Sequence, residues 1–121
     1  MRLRALRGAI TVEENTTEAI LEGTEELLRA IIDRNELQIA DLVSCIFTTT
    51  EDLTAEFPAV AARNIGLSGV PLLGAREMSR PGALPMVIRV LVHCYAEPER
   101  PAQHVYLRDA VQLRQDLQGA Q

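Results

Sequence analysis

The stretch MVIRVLVHCY, residues 86–95, has the strongest strand character in the sequence. Successive side chains of a strand point to opposite faces. One face of this segment is wholly apolar and carries Met86, Ile88, Val90, Val92 and Cys94. The opposite face is apolar with polar interruptions, and Arg89 lies at its centre. A guanidinium is always charged and rarely lies among apolar groups without a partner, so we expect a carboxylate of the protein or an anionic ligand to meet Arg89.

The composition predicts one globular domain over residues 1–121. A chain of this length can form one substantial core, but hardly two. The net charge of -5 argues against a nucleic-acid partner, because nucleic-acid binders usually have a basic surface. No apolar run approaches the roughly 20 residues of a membrane helix, and the first residues do not form a convincing signal peptide. We therefore expect a soluble, cytoplasmic protein with no membrane partner.

Several kinds of chemistry are excluded or disfavoured by residue type. All 12 basic residues are arginine, so a Schiff-base lysine and a Walker-type phosphate loop are impossible. The two cysteines, Cys45 and Cys94, lie in predicted strands and are expected to be buried, reduced thiols. His93 and His104 lack the spacing of metal ligands, and GLSG is one residue short of a nucleophile elbow. We expect no metal and no cofactor.

The periodicity predicts an α+β fold with one long helix. Asn15 is the expected N-cap, with Glu18 three residues later as in a capping box, and the helix should continue to about Arg34. A short helix should begin at Phe57 with Pro58 in its first position. Strands are predicted at residues 2–9, 42–49, 70–73, 86–95 and 104–107, and a loop at residues 74–85.

We expect these elements to form one mixed β-sheet with the long helix packed on its apolar face. The face that carries Arg89 is too apolar for full exposure to water. It is therefore predicted to pack against other subunits of a symmetric oligomer.

The remaining candidates for chemistry are arginines with polar companions: Arg7, Arg63, Arg89, Arg114, Glu77 and Tyr106. All of them except Arg7 also have a definite simpler interpretation. Arg63 and Arg114 fit solvated surface residues, Glu77 fits an exposed loop acid, and Tyr106 fits a core or rim aromatic. Arg89 fits a structural ion pair, with Glu77 as one partner. Spacing alone supports a pocket for a small carboxylate and nothing finer.

Six segments add a resemblance when they are taken in order. They are RGAITVEENT at 7–16, FPAVAAR at 57–63, VPLL at 70–73, EM at 77–78, IRVLV at 88–92 and HVYLRDAVQLRQDL at 104–117. Together they resemble the small trimeric α/β chorismate mutases, not the all-helical type, and they span nearly the whole chain. The resemblance implies a homotrimeric pseudo α/β barrel with a site at each subunit interface. It also implies a cofactor-free isomerase that converts chorismate to prephenate in aromatic amino-acid biosynthesis.

The resemblance assigns roles to particular residues. Arg89 would meet the ether oxygen of chorismate, and Glu77 would accept a hydrogen bond from the ring hydroxyl. Arg7 and Tyr106 would hold a substrate carboxylate. Arg114 in the tail would close the cleft, whose walls would be formed by Phe57, Ala59, Arg63, Leu72, Leu73 and Leu113.

The sequence departs from the family pattern at two positions and is compatible with two rival functions. Val60 stands where well-known relatives carry a lysine, and Gly74 stands where they carry a cysteine. The first rival is a trimeric imine or enamine hydrolase of the Rid type, which also binds small carboxylates. The second is a non-catalytic trimer that senses a small carboxylate, as PII-like proteins do. The RGAITVE and HVYL segments favour the mutase over both.

Overall fold

A computed structural model describes residues 1–114 of the chain. It contains five strands and two complete α-helices, and residues 111–114 are also helical. Their bounds are β1 (Arg2–Thr11), α1 (Thr17–Arg34), β2 (Leu42–Thr49), α2 (Pro58–Asn64), β3 (Leu72–Arg76), β4 (Val87–Ala96) and β5 (Val105–Leu107). Short 3-10 helices lie at Ile39–Asp41, Leu67–Gly69 and Arg108–Ala110. This arrangement confirms the predicted α+β class with a single mixed sheet.

Strand β4 lies at the centre of the sheet, whose strand order is β3-β2-β4-β1-β5. It pairs antiparallel with β1 and β2, while β3 runs parallel to β2 and β5 runs parallel to β1. The central position agrees with the strong strand character of this segment in the sequence.

The main core forms where α1 packs on the wholly apolar face of β4, as predicted. Ile20, Leu27 and Ile31 of α1 are fully buried. They meet Ile88 and Val92 of β4 and, from the flanking strands, Leu6, Ile10 and Phe47. Each such side chain contributes about 1.5–3 kcal/mol by leaving water.

Glycine at position 8 of β1 allows helix α1 to pack close to the sheet. A Cβ there would lie 2.7 Å from Cδ1 of Ile31.

The start of α1 differs from the prediction. Thr16, not Asn15, is the N-cap, and its hydroxyl accepts a hydrogen bond from the Ala19 N–H at 3.1 Å. The Asn15 side chain instead accepts the N–H groups of Thr54 and Ala55 from a distant loop. The capping-box prediction at Asn15 was wrong because a tertiary partner competes for its amide oxygen.

Strand β3 is also displaced from its predicted position. It begins at Leu72 and continues to Arg76, where the prediction placed a strand at 70–73 followed by a loop. Its pairing with β2 extends to Thr49 and Arg76, and the Glu77 N–H then donates to the Thr49 carbonyl at 2.9 Å. The long partner strand therefore prolongs β3 past Gly74, which local propensity alone would make a loop.

Within residues 1–114, neither α1 nor α2 covers the second face of the sheet, and we call it the open face. At one end it carries a small apolar cluster of Ala9, Val87 and Ala110, against which Leu84, Tyr106 and Leu113 pack. At the other end Leu3 is 58% exposed and Tyr95 47% exposed. Among the residues that the structure covers, no helix is both long and apolar enough to span a bilayer.

Candidate active site

One row of side chains crosses the open face from edge to edge. Tyr106 of β5 is paired with Ala9, Ala9 with Arg89, Arg89 with Thr48, and Thr48 with Ala75 of β3. Paired residues on neighbouring strands point to the same side of a sheet, so these five side chains share the open face. Adjacent strands lie about 4.8 Å apart, which places the backbones of Arg89 and Tyr106 about 10 Å apart.

Arg89 meets a carboxylate of its own chain at the centre of this row. Its Nε lies 3.2 Å from Oε1 of Glu77, and the Thr48 hydroxyl donates to the same oxygen at 2.7 Å. The Arg89 side chain remains 48% exposed and that of Glu77 24% exposed. The prediction of an anionic partner is confirmed, and the exposure leaves the guanidinium within reach of a ligand.

Arg7 belongs to the neighbouring row of the open face. It is two residues before Ala9 on β1 and is paired with Leu91, which in turn is paired with Ile46. The Arg7 side chain is half-buried. Arg7, Arg89 and Tyr106 therefore form a cationic surface with one phenol at its margin, which suits a ligand with carboxylates.

His104 is a residue of this region that sequence reasoning missed. Its Nδ1 accepts a hydrogen bond from the backbone N–H of Arg7 at 3.0 Å. Partial burial, and then the charge of Arg7, lower the pKa of His104 below its ordinary value of 6.5. The sequence alone suggested only a metal-ligand role for His104, and its spacing did not support one. His104 lies directly before β5, and its contact with Arg7 could be recognised only once the register of β5 with β1 was known.

Three of the predicted wall residues lie in a different layer, and we call them the α2 group. Ala59 and Arg63 lie on α2, and Phe57 precedes it. Helix α2 packs against α1 and the main core, on the side of the sheet opposite to Arg89. Phe57 is 74% exposed. Within one chain the structure does not bring the α2 group to Arg89.

The other predicted wall residues are divided as well. Leu73 lies on the open face at the β3 edge, whereas Leu72 points to the opposite side and packs against the main core. Leu113 packs beside Tyr106 in the small cluster of the open face. Arg114 is exposed and is the last residue described, so the predicted closing role of the tail beyond it lies outside the described residues. Within residues 1–114, no cluster of three or more histidine, cysteine or acidic side chains could hold a metal.

Sequence comparison assigns this arrangement to a family. The profile described as chorismate mutase type I matches residues 3–117. The chain belongs to the type I chorismate mutase family. It is 54% identical over 121 residues to chorismate mutase AroH of Thermus thermophilus, covering 98% of this chain and 99% of the relative. It is 41% identical over 119 residues to chorismate mutase AroH of Bacillus subtilis, covering 97% and 94%.

A solved structure shows the same fold. The chorismate mutase from Clostridium thermocellum matches with a TM-score of 0.87 and 41% identity, over 90% of this chain and 98% of that one. The family predicted from the sequence is confirmed. The chain is a chorismate mutase, an isomerase of aromatic amino-acid biosynthesis. The Rid-type hydrolase and the carboxylate sensor receive no support from these matches.

Proposed function

We propose that chorismate is rearranged to prephenate on the open face, around Arg89, at an interface between copies of a homotrimer. The ion pair of Arg89 with Glu77, with Tyr106 in the same row and Arg7 in the neighbouring row, is the observation that carries this proposal. It offers two positive charges, one carboxylate and one phenol on a partly apolar floor. Chorismate carries two carboxylates, an ether oxygen and a ring hydroxyl, so the ether oxygen, the hydroxyl and one of the two carboxylates have a complement on this surface.

The reaction needs only what this surface offers. It is unimolecular: one C–O bond of the ether breaks while one C–C bond forms, and no atom enters or leaves. No nucleophile, general base or cofactor takes part. The protein must hold the substrate in the compact conformer in which the two carbons approach, which is a problem of orientation. It must also place a fixed positive charge where the ether oxygen gains negative charge.

Arg89 is the group we assign to the ether oxygen. Glu77 orients it through Oε1, which also accepts the Thr48 hydroxyl. Among the contacts of residues 1–114, none engages Oε2 of Glu77. That oxygen is therefore available to the ring hydroxyl of the substrate. Arg7 and Tyr106 are assigned to a substrate carboxylate, which also offsets the repulsion between Arg7 and Arg89.

The homotrimer is proposed from two features of the single chain. The open face leaves apolar side chains such as Leu3 and Tyr95 exposed, as expected of a surface that a further copy covers. Phe57 and Arg63 of the α2 group are exposed on the side of the sheet away from Arg89 in their own chain, so they would have to wall the site of a neighbouring copy. Leu73, Leu113 and Arg114 would border the same cleft. The buried, free thiols of Cys45 and Cys94 fit a reducing compartment, and we propose a cytoplasmic location.

A direct assay tests the activity. Purified protein is mixed with chorismate, and the decay of its ultraviolet absorbance is followed while light scattering reports the assembly state. We expect a trimer that removes chorismate far faster than the spontaneous reaction. Decay at the spontaneous rate in correctly assembled protein would contradict the proposed function.

A mixing experiment tests the shared site. Arg63→Ala and Arg89→Ala chains are denatured together, refolded as mixed trimers and assayed. If each site takes Arg63 from one copy and Arg89 from its neighbour, random mixing restores about one quarter of the sites. If both residues serve the site of their own chain, no mixed trimer regains an intact site and activity stays at the level of the parents.

A further inference from the structure

The first residue before β5 completes the pairing of β1 through its side chain. Strand β5 has three residues, and its register with β1 begins at Gly8 and Val105. The Arg7 N–H lies just outside that register, where β5 supplies no backbone partner. The His104 ring takes this place, and its Nδ1 accepts the Arg7 N–H at 3.0 Å. The ring therefore extends the contact between the two strands by one hydrogen bond.

The end of helix α1 fixes the position from which His104 makes this contact. Asn35, only 3% exposed, donates from Nδ2 to the Gln103 carbonyl at 2.9 Å and accepts the Gln103 N–H on Oδ1 at 2.8 Å. Its Nδ2 also donates to the Ile31 carbonyl at 2.8 Å, which ties the amide to α1. Because Gln103 directly precedes His104, these hydrogen bonds anchor the backbone from which the ring reaches Arg7.

We propose that His104 is a positioning residue for substrate binding. As a neutral ring with an acceptor at Nδ1, it holds Arg7 beside β5, so that Arg7 and Tyr106 meet one substrate carboxylate at a fixed separation. This inference rests on the proposed function, because it takes the assignment of Arg7 and Tyr106 to a carboxylate from there. His104 itself touches no reacting atom.

The protonation state of the ring controls the contact. A proton on Nδ1 would turn the acceptor into a donor, and two N–H groups would then face each other. The charged group that faces the ring is Arg7 on β1, while Asn35 at the end of α1 and Gln103 before β5 are neutral. Partial burial and Arg7 lower the pKa of His104, so the neutral form predominates at pH 7. As the pH falls through this lowered pKa, the contact is lost and the substrate KM should rise.

Two substitutions of His104 distinguish the effect of its hydrogen-bond acceptor from the effect of its side-chain volume. In His104→Asn the amide oxygen can take the place of Nδ1 and does not titrate, whereas His104→Leu has no acceptor. At pH 7.5 we expect His104→Leu to raise KM about tenfold, the usual effect of one lost hydrogen bond, with a smaller change in kcat. His104→Asn should keep KM near the wild-type value and should lose the rise of KM at acid pH.

The other histidine supplies the matched control. His93 of β4 hydrogen-bonds Ser44 through Nδ1 at 3.1 Å, and His93→Asn can replace that bond. We expect His93→Asn to retain the acid rise of KM. The positioning role is overturned if His104→Leu binds substrate as wild type does, if His104→Asn is as impaired as His104→Leu, or if His104→Asn keeps the acid rise.

Hydrogen exchange of the Arg7 amide tests its hydrogen bond to His104 independently of catalysis. Protection should be present in the wild type and in His104→Asn and should be lost in His104→Leu; equal protection in all three would overturn the contact. A wild-type trimer without mutase activity would instead remove the proposed function, and this exchange measurement would still decide whether His104 fixes Arg7.

Discussion

Replacing Arg89 by alanine should separate activity from stability. The Arg89–Glu77 pair spans 3.2 Å, with side chains that are 48% and 24% exposed. A pair of this exposure contributes about 0–1 kcal/mol to folding. A fixed donor at a developing oxyanion contributes far more to the rate, about 10²–10³ in kcat or ~3–4 kcal/mol. We therefore expect Arg89→Ala to lose nearly all turnover while its free energy of unfolding falls by at most about 1 kcal/mol.

The assay combines chorismate decay, urea unfolding and light scattering on the same preparations. Arg89→Lys should also be poor, because a point charge on a flexible stem does not reproduce a forked donor. Arg29→Ala is the matched control: Arg29 forms an exposed 3.0 Å pair with Glu25 on α1, away from the open face. It should change neither activity nor stability appreciably.

Two results would contradict the roles assigned to Arg89 and Glu77. If Arg89→Ala kept most of its kcat and lost stability, Arg89 would be a structural ion-pair residue and not the group at the ether oxygen. If Glu77→Gln reduced turnover more than Arg89→Ala, the order of the two roles would be wrong. An amide at position 77 can still accept the Thr48 hydroxyl, so we expect the smaller loss there.

Three further changes have defined outcomes. Val60→Lys should lower KM for the doubly negative substrate about threefold to tenfold, and the gain should shrink at high salt; Val60→Met is the neutral control. Gly8→Ala should destabilise the fold by about 1–3 kcal/mol in urea unfolding, because its Cβ would lie 2.7 Å from Cδ1 of Ile31. Burial, and then Cys94, raise the pKa of Cys45 from 9.0 to about 11. As the pH rises, the thiol of the unfolded chain therefore loses its proton before that of the folded chain. The free energy of unfolding should fall between about pH 9 and 11, by ~1.4 kcal/mol at pH 10. The fall should be smaller in Cys45→Ala.

The sequence predicted the elements whose signals are local and repeated. The alternation in residues 86–95 placed β4 and both its faces correctly, and the helical spacing of Ile20, Leu27 and Ile31 placed α1. Predictions failed where contacts with a distant segment of the chain determine the local structure. Thr54 and Ala55 claim the Asn15 side chain, so the cap moves to Thr16.

The candidate site shows the same division between residue type and placement. An arginine in the middle of an apolar strand predicted an anionic partner, and Glu77 is that partner. Strand register, which no local pattern encodes, aligns Tyr106, Ala9 and Arg89 in one row. The same register gives His104 its contact with Arg7. The sequence also does not state on which side of the sheet α2 packs, so the separation of Arg63 from Arg89 became visible only in the fold.

The margins of the sheet bear on how copies of the chain can associate. Its two edge strands have 5 and 3 residues, so few backbone groups are offered for the addition of another strand. After the shorter edge the backbone turns away at Arg108, which has a φ of 55° and donates to the Thr11 carbonyl at 3.1 Å. Strand-by-strand growth into filaments is therefore disfavoured, and the proposed association of copies through the open face does not compete with strand addition at these edges.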